Sequence, residues 1–315
     1  MPLPAAVPAA RTRSWVPEGP LDVRRTLFPL RRGPGDPAFR ITRDGTVWRA
    51  GRTPAGPGTL RLTGSPAAIE GHAWGPGAEW LLDALPALLG ADDDPSTFTP
   101  RHRIVHTAHR RNPGLRLTRT GLVLESLIPS ILEQKVTTAE AYRAWRLLLL
   151  QHGEPAPGPG LGPGTGRMCV MPDARGWALI PSWDWHAAGV DNKRASTVLR
   201  VARLGARLDA LTRLTAPDAA ARLQVVPGIG PWTAAETVQR SHGAPDEVTV
   251  GDLHLPHRIG FALTGARRSD DAAMLSLLSP YAGQRHRAAR LILLASPSPP
   301  RHGPRLAPNP TTPAS

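Results

Sequence analysis

Four residues, Pro227-Gly228-Ile229-Gly230, separate two helical patterns. Two glycines around one aliphatic residue make a tight hairpin in which Ile229 plugs the core between the helices. The glycines leave backbone N–H groups bare at the start of the next helix, and such donors hold an anion of phosphate type. Pro231 opens that helix where its missing N–H costs nothing. Further on, the extended run Val248-Thr249-Val250 ends in Gly251-Asp252, an acid at a helix start. A carboxylate there caps the first N–H groups of the helix. It is equally placed to stabilise developing positive charge and to steer water. The hairpin alone also fits an ordinary helix–turn–helix connection with a glycine cap. On residue types alone, both readings stay open.

The charge favours a polyanionic partner: the net charge is +13 over 315 residues. Lysine occurs only at Lys135 and Lys193, so the positive charge is almost wholly arginine, which binds phosphate but cannot act as an amine nucleophile. An Ala-, Gly- and Pro-rich composition from a GC-rich genome would enrich arginine too. One cysteine, Cys169, supports neither an internal disulfide nor a cysteine-ligated zinc or iron–sulfur site, and it fits a reducing cytoplasm. No run of about 18 apolar residues appears, which excludes a helical membrane span. The arginine-bearing N-terminus lacks an apolar signal core and reads as a tail.

The elements that must position these residues follow from pattern. Residues 1–19 are expected to be a disordered tail. Residues 20–112 are expected to form a small α+β unit. In it Phe39-Arg40-Ile41 and Thr46-Val47-Trp48 flank Asp44-Gly45, a two-residue hairpin signal. Thr59–Leu62 is a further strand, and Ala78–Gly90 is one helix with Trp80, Leu81, Leu85, Leu88 and Leu89 on a stripe. Residues 113–295 read as purely helical. Leu124, Leu127, Ile128, Ile131 and Leu132 make a core-facing stripe. Thr137 with Glu140 is a capping box that starts the next helix. Helices are predicted over 191–206, 216–226, 231–241, 271–279 and 285–295. The Pro/Gly-rich run 154–166 is an irregular loop, and 296–315 is a disordered tail.

Together these residues resemble the helix-hairpin-helix DNA glycosylase superfamily. In that family a Pro-Gly-Ile/Val-Gly hairpin is followed, after one helix and a short loop, by an aspartate that opens the next helix. Gly251–Leu255 is similar to its Val-Asp-Thr-His-Ile stretch, with Gly251 and Leu253 substituted. Pro113–Leu117, Gln134-Lys135-Val136-Thr137 and Pro280-Tyr281 look like bacterial 3-methyladenine DNA glycosylase II. The resemblance covers roughly residues 20–295. It implies a mainly α fold, the helix-hairpin-helix glycosylase domain preceded by a small α+β domain.

The resemblance also implies a role for each residue. Asp252 is the catalytic carboxylate that stabilises an oxocarbenium-like sugar as the base departs. Trp232, Tyr281 and Gln134 line the pocket for an extruded base, where electron-rich rings attract cationic alkylpurines. Gly228, Ile229, Gly230, Thr233 and Lys135 touch DNA. Lys135 stands where the subfamily inserts an apolar wedge, though a solvated helix-end lysine fits the residue as well. Trp232 and Tyr281 are also ordinary candidates for core positions. Glu236 stands where the subfamily often has another aromatic. Family members that also cleave the strand carry a lysine directly after the turn, where this chain has Trp232. The activity implied is monofunctional excision of damaged, above all alkylated, purines from double-stranded DNA. Alternatives are a lesion-binding protein without turnover and a glycosylase for another base. No cofactor is implied beyond a monovalent cation at the hairpin. The implied protein is a monomer in the bacterial cytoplasm at the nucleoid.

Overall fold

The computed structural model describes residues 9–65, 68–159 and 167–296. Its first layer is an antiparallel sheet of β1 (Arg11–Trp15), β2 (Phe39–Ile41), β3 (Val47–Thr53), β4 (Gly56–Ser65) and β5 (Ala68–Trp74), in the order β1-β5-β4-β3-β2. Helix α1 (Val23–Leu27) precedes β2, and α2 (Ala78–Asp83) and α3 (Leu85–Leu88) follow β5. Alternation buries Val47, Leu60, Leu62, Ile69 and Ala73 against Leu81 and Leu85. The opposite face stacks Trp48 on Trp74 at 5.7 Å over Met168 and Val170.

Three expectations change here. Arg11–Trp15, assigned to the disordered tail, pairs with β5 from Arg11↔Ala73 to Trp15↔Ile69. A strand of alternating arginines finds its partner only in tertiary structure. The Asp44-Gly45 signal marks a turn, but a wider one: Gly45 N–H donates to Thr42 O at 3.0 Å and Thr42 N–H to Thr46 O at 2.9 Å. The Asp44 carboxylate holds the loop open by accepting from both Thr42 and Thr46, and these bonds lower its pKa. The single helix expected over 78–90 breaks at Ala84. Pro86 has no N–H for the carbonyl of Leu82, which instead accepts from the Arg13 guanidinium at 3.0 Å.

The helical part begins earlier than residue 113. Helix α4 (Arg103–Arg111) buries Val105 and Ala108 in one cluster with Ile259, Met274, Leu278 and Ala288. By its packing it belongs to the C-terminal layer, not to the α+β unit. Helices α5 (Val123–Leu132) and α6 (Thr138–His152) come next, the latter with the capping box of Thr137 and Glu140. Strands β6 (Glu154–Pro155) and β7 (Cys169–Val170) pair across the Pro/Gly-rich loop, of which residues 160–166 lie outside the described residues. Residues 1–8 of the expected N-terminal tail, and 297–315 of the C-terminal one, also lie outside them.

Helices α7 (Ala174–Ala178), α8 (Ser182–Ala187), α9 (Asn192–Asp209), α10 (Ala216–Gln224), α11 (Pro231–Ser241), α12 (Leu255–Thr264), α13 (Asp271–Leu278) and α14 (Arg285–Ala295) complete the chain. The stripe of α5 is fully buried and packs against α9 and α11. Two helical layers result, one around α5 and α11, the other formed by α4 and α12–α14. The protein is thus mainly helical, preceded by a small antiparallel sheet.

Buried charge stitches the layers. Arg32 pairs with Glu133 at 2.7 Å, Arg49 pairs with Glu125, and the Trp145 indole donates to Asp36 at 2.9 Å. Asp93, just after α3, pairs with Arg287 on α14, with both side chains at least 95% buried, 5% and 2% exposed. Its other oxygen accepts the Leu117 N–H at 2.9 Å. Removing one partner of such a pair leaves an uncompensated buried ion, at a cost of about 3–5 kcal/mol. Asp93→Ala should therefore lose stability of that order in urea unfolding. A midpoint equal to that of the unsubstituted protein would remove this pair from the account of the fold.

Candidate active site and nucleic-acid interface

The hairpin is built as its residues require. α10 ends at Gln224, the Ile229 N–H donates to Val226 O at 3.0 Å, and the Ile229 side chain is buried in the α5–α11 cluster. Gly228 has φ +97°, and a Cβ there would lie 2.4 Å from Thr197 Oγ1, so only glycine fits. Gly230 caps α11 with φ −102°, and a Cβ there would meet open space. Its glycine therefore answers no internal constraint of the fold.

The hairpin carbonyls are taken by side chains. Arg200 donates to Pro227 O at 2.6 Å, and the Gln134 amide donates to Gly228 O at 3.0 Å and to Thr233 Oγ1 at 2.8 Å. Among the described residues, the N–H groups of Gly228, Gly230, Trp232 and Thr233 have no protein acceptor. Bare donors converging at a helix N-terminus form an anion site.

Asp252 ends the segment that returns from α11. Its Oδ1 accepts the N–H groups of His254 at 2.8 Å and Leu255 at 2.7 Å, which ties down the turn into α12; the helix itself opens only at Leu255, three residues after the acid. Its Oδ2 accepts the Trp232 indole N–H at 3.0 Å. Both atoms of the carboxylate are thereby oriented, and the residue stays partly exposed. Gly251, at φ +83°, donates its N–H to Asp271 at 2.9 Å, which fixes the backbone just before Asp252. One turn along α11, Glu236 accepts from Thr249 Oγ1 at 2.9 Å and from Arg240 at 2.7 Å. Burial draws the Arg240 pKa down, but Glu236 and Glu133 outweigh it and the net shift is upward. Glu236 thus belongs to an ionic network, where the resemblance led one to expect an aromatic wall.

Trp232, Gln134, Thr233, Asp252 and the hairpin glycines are brought together. Tyr281 is not with them. It is 3% exposed, stacks on Phe98 at 5.7 Å, and its hydroxyl accepts the N–H groups of Arg101 and His102 while contacting His102 Nδ1 at 2.7 Å. Pro280-Tyr281 closes α13 in a 3₁₀ turn, and α14 starts only at Arg285, so Tyr281 is a core residue of the C-terminal layer. Lys135 is exposed directly after Gln134, with φ +56°, the one left-handed non-glycine among the described residues. Such a conformation costs about 1–2 kcal/mol, and nothing in the residue type announced it. The Trp232–Asp252 bond was also missed. Its only signal was an indole at the start of α11 and a carboxylate near the end of the segment that returns from that helix.

No protein-family model matches the chain, and no curated protein matches it. Solved structures do. A 3-methyladenine DNA glycosylase from Archaeoglobus fulgidus superposes with TM-score 0.70 at 14% identity, covering 90% of this chain and 98% of that one. The 8-oxoguanine glycosylase/lyase of Clostridium acetobutylicum in its apo-form gives 0.69 at 10% identity, covering 92% and 99%. The same enzyme in complex with double-stranded DNA containing cytosine opposite 8-oxoguanine gives 0.66 at 10% identity, covering 91% and 96%. With nine-tenths or more of the chain covered in each case, this chain has the fold of these DNA glycosylases.

Proposed function

We propose that the protein is a monofunctional DNA N-glycosylase that removes damaged, above all alkylated, purines from double-stranded DNA. The observation that carries this reading is the Trp232–Asp252 pair beside the bare hairpin. The hairpin N–H groups take one phosphate, which sets the duplex against the cleft. The extruded nucleotide then brings its sugar to Asp252, whose fixed carboxylate stabilises the cation that forms as the base leaves. Water completes the reaction, because Trp232 occupies the position where strand-cleaving relatives carry a lysine and has no amine to form an imine. The neighbours in structure are a 3-methyladenine DNA glycosylase and an 8-oxoguanine glycosylase/lyase. The indole face favours the cationic alkylpurine.

A second reading, lesion binding without turnover, draws on the full engagement of Oδ1 in tying down the turn into α12. Turnover itself separates the two. With a panel of lesion-bearing duplexes, the product should be an abasic strand that nicks only after alkali, and borohydride should trap no adduct. Asp252→Asn should slow base release by roughly 10²–10³ with little change in DNA affinity. Trp232→Phe keeps a ring but loses the bond that aims Asp252, and should fall between the two, about tenfold down. A trapped covalent complex would overturn the hydrolytic reading, and lesion binding with no released base would establish the second.

The two glycines should respond differently. Gly228→Ala must displace Thr197 and adopt a strained φ, so it should destabilise the fold itself. Gly230→Glu leaves the fold stable yet puts a carboxylate over the donors, and DNA affinity should collapse for every sequence. The unsubstituted protein should also lose affinity steeply with salt. Unchanged binding by a folded Gly230→Glu protein would remove the hairpin from the interface.

A further inference from the structure

The far side of the C-terminal layer carries a groove that the proposed reaction does not use. Its floor is apolar, made by Ile104 on α4, Ala262 and Leu263 at the end of α12, and Ala295 at the end of α14. Arg103 and Arg111, one at each end of α4, stand on its rim. They are part of a larger set: Arg101, Arg103, Arg110 and Arg111 around α4, and Arg267 and Arg268 after α12, are all exposed. Among the described residues none of these six side chains pairs with a carboxylate or donates a hydrogen bond. Arg32, Arg49, Arg285 and Arg287, by contrast, each have a carboxylate partner. Other exposed arginines, such as Arg175, Arg207 and Arg222, also lack a carboxylate partner; what sets this place apart is that unpaired guanidinium groups border an apolar floor.

We infer that this groove docks an acidic, apolar-faced segment of a partner protein. Charge complementarity sets the sign of the partner, because unpaired guanidinium groups attract carboxylates and steer their approach. The floor sets the rest, since an apolar surface is matched by apolar side chains and not by a phosphate track. An amphipathic helix with leucines on one face and glutamates beside them satisfies both demands. Because Asp252 is at the opposite end of α12, about 15 Å away along the ten-residue helix, docking leaves the cleft open.

The test uses the full chain and a short fluorescein-labelled peptide with leucine on one helical face and glutamate on the other. Fluorescence anisotropy should show binding that weakens with salt. Arg103→Glu combined with Arg111→Glu alters only exposed side chains and should lower peptide affinity about tenfold or more. The same peptide with lysine in place of glutamate should not bind. No binding of the acidic peptide, equal binding of the lysine peptide, or an unaffected double variant would each overturn the inference. So would an equal loss of duplex-DNA affinity in the double variant, which would make the groove part of a nucleic-acid track.

Discussion

The bond from the Trp232 indole to Asp252 crosses the seam between two separately packed helical layers. Trp232 is on α11, whose buried face belongs to the cluster around α5, while α12 packs with α4, α13 and α14. A second and a third rung, Thr249 to Glu236 and Gln239 to the carbonyl of Glu247, hold the intervening segment along α11. Each bond contributes only about 1 kcal/mol net. Their effect is positional: the layers supply the stability, and the rungs convert it into one orientation of one carboxylate. The same residue ties down the turn into α12, so in the proposed reaction structural and chemical duties would coincide in a single side chain.

What the sequence made legible is what backbone chemistry dictates. Gly228 could be read because a tight inter-helix turn needs a left-handed residue, and the close approach of Thr197 supplies the reason in space. The α5 stripe and the Thr137–Glu140 box were legible because they are local. What stayed hidden depends on distant partners. β1 has two arginines in five residues and is largely exposed, and becomes a strand only beside β5. α4 carries few apolar residues, and its two buried ones matter only because α12–α14 present a matching face. Tyr281 followed a two-residue resemblance, and its true surroundings, Phe98 and His102, lie about 180 positions away in the chain.

Charge is arranged in two ways across the molecule. Inside, arginines are paired with carboxylates between layers, so the large positive balance does not weaken the core. At the hairpin, the anion site is made by neutral N–H donors and not by charged side chains. A guanidinium reaches phosphate from many directions, whereas N–H groups fixed at a helix terminus define one position and one direction. In the proposed function the arginine surplus would supply attraction at long range and the hairpin registration.

The α+β unit enters this arrangement through one end of α5. Arg32, 5% exposed at its side chain, pairs with Glu133, the residue immediately before Gln134. Gln134 in turn holds Gly228 and Thr233, and Lys135 follows in its left-handed conformation. Three consecutive residues therefore face three different tasks: Glu133 is anchored to the N-terminal unit, Gln134 to the hairpin, and Lys135 is thrust outward. A left-handed lysine persists only where its neighbours over-determine the backbone. Anchors on the two preceding residues provide that condition, which gives the N-terminal unit a physical part in setting the backbone next to the hairpin although no residue of its sheet lies in it.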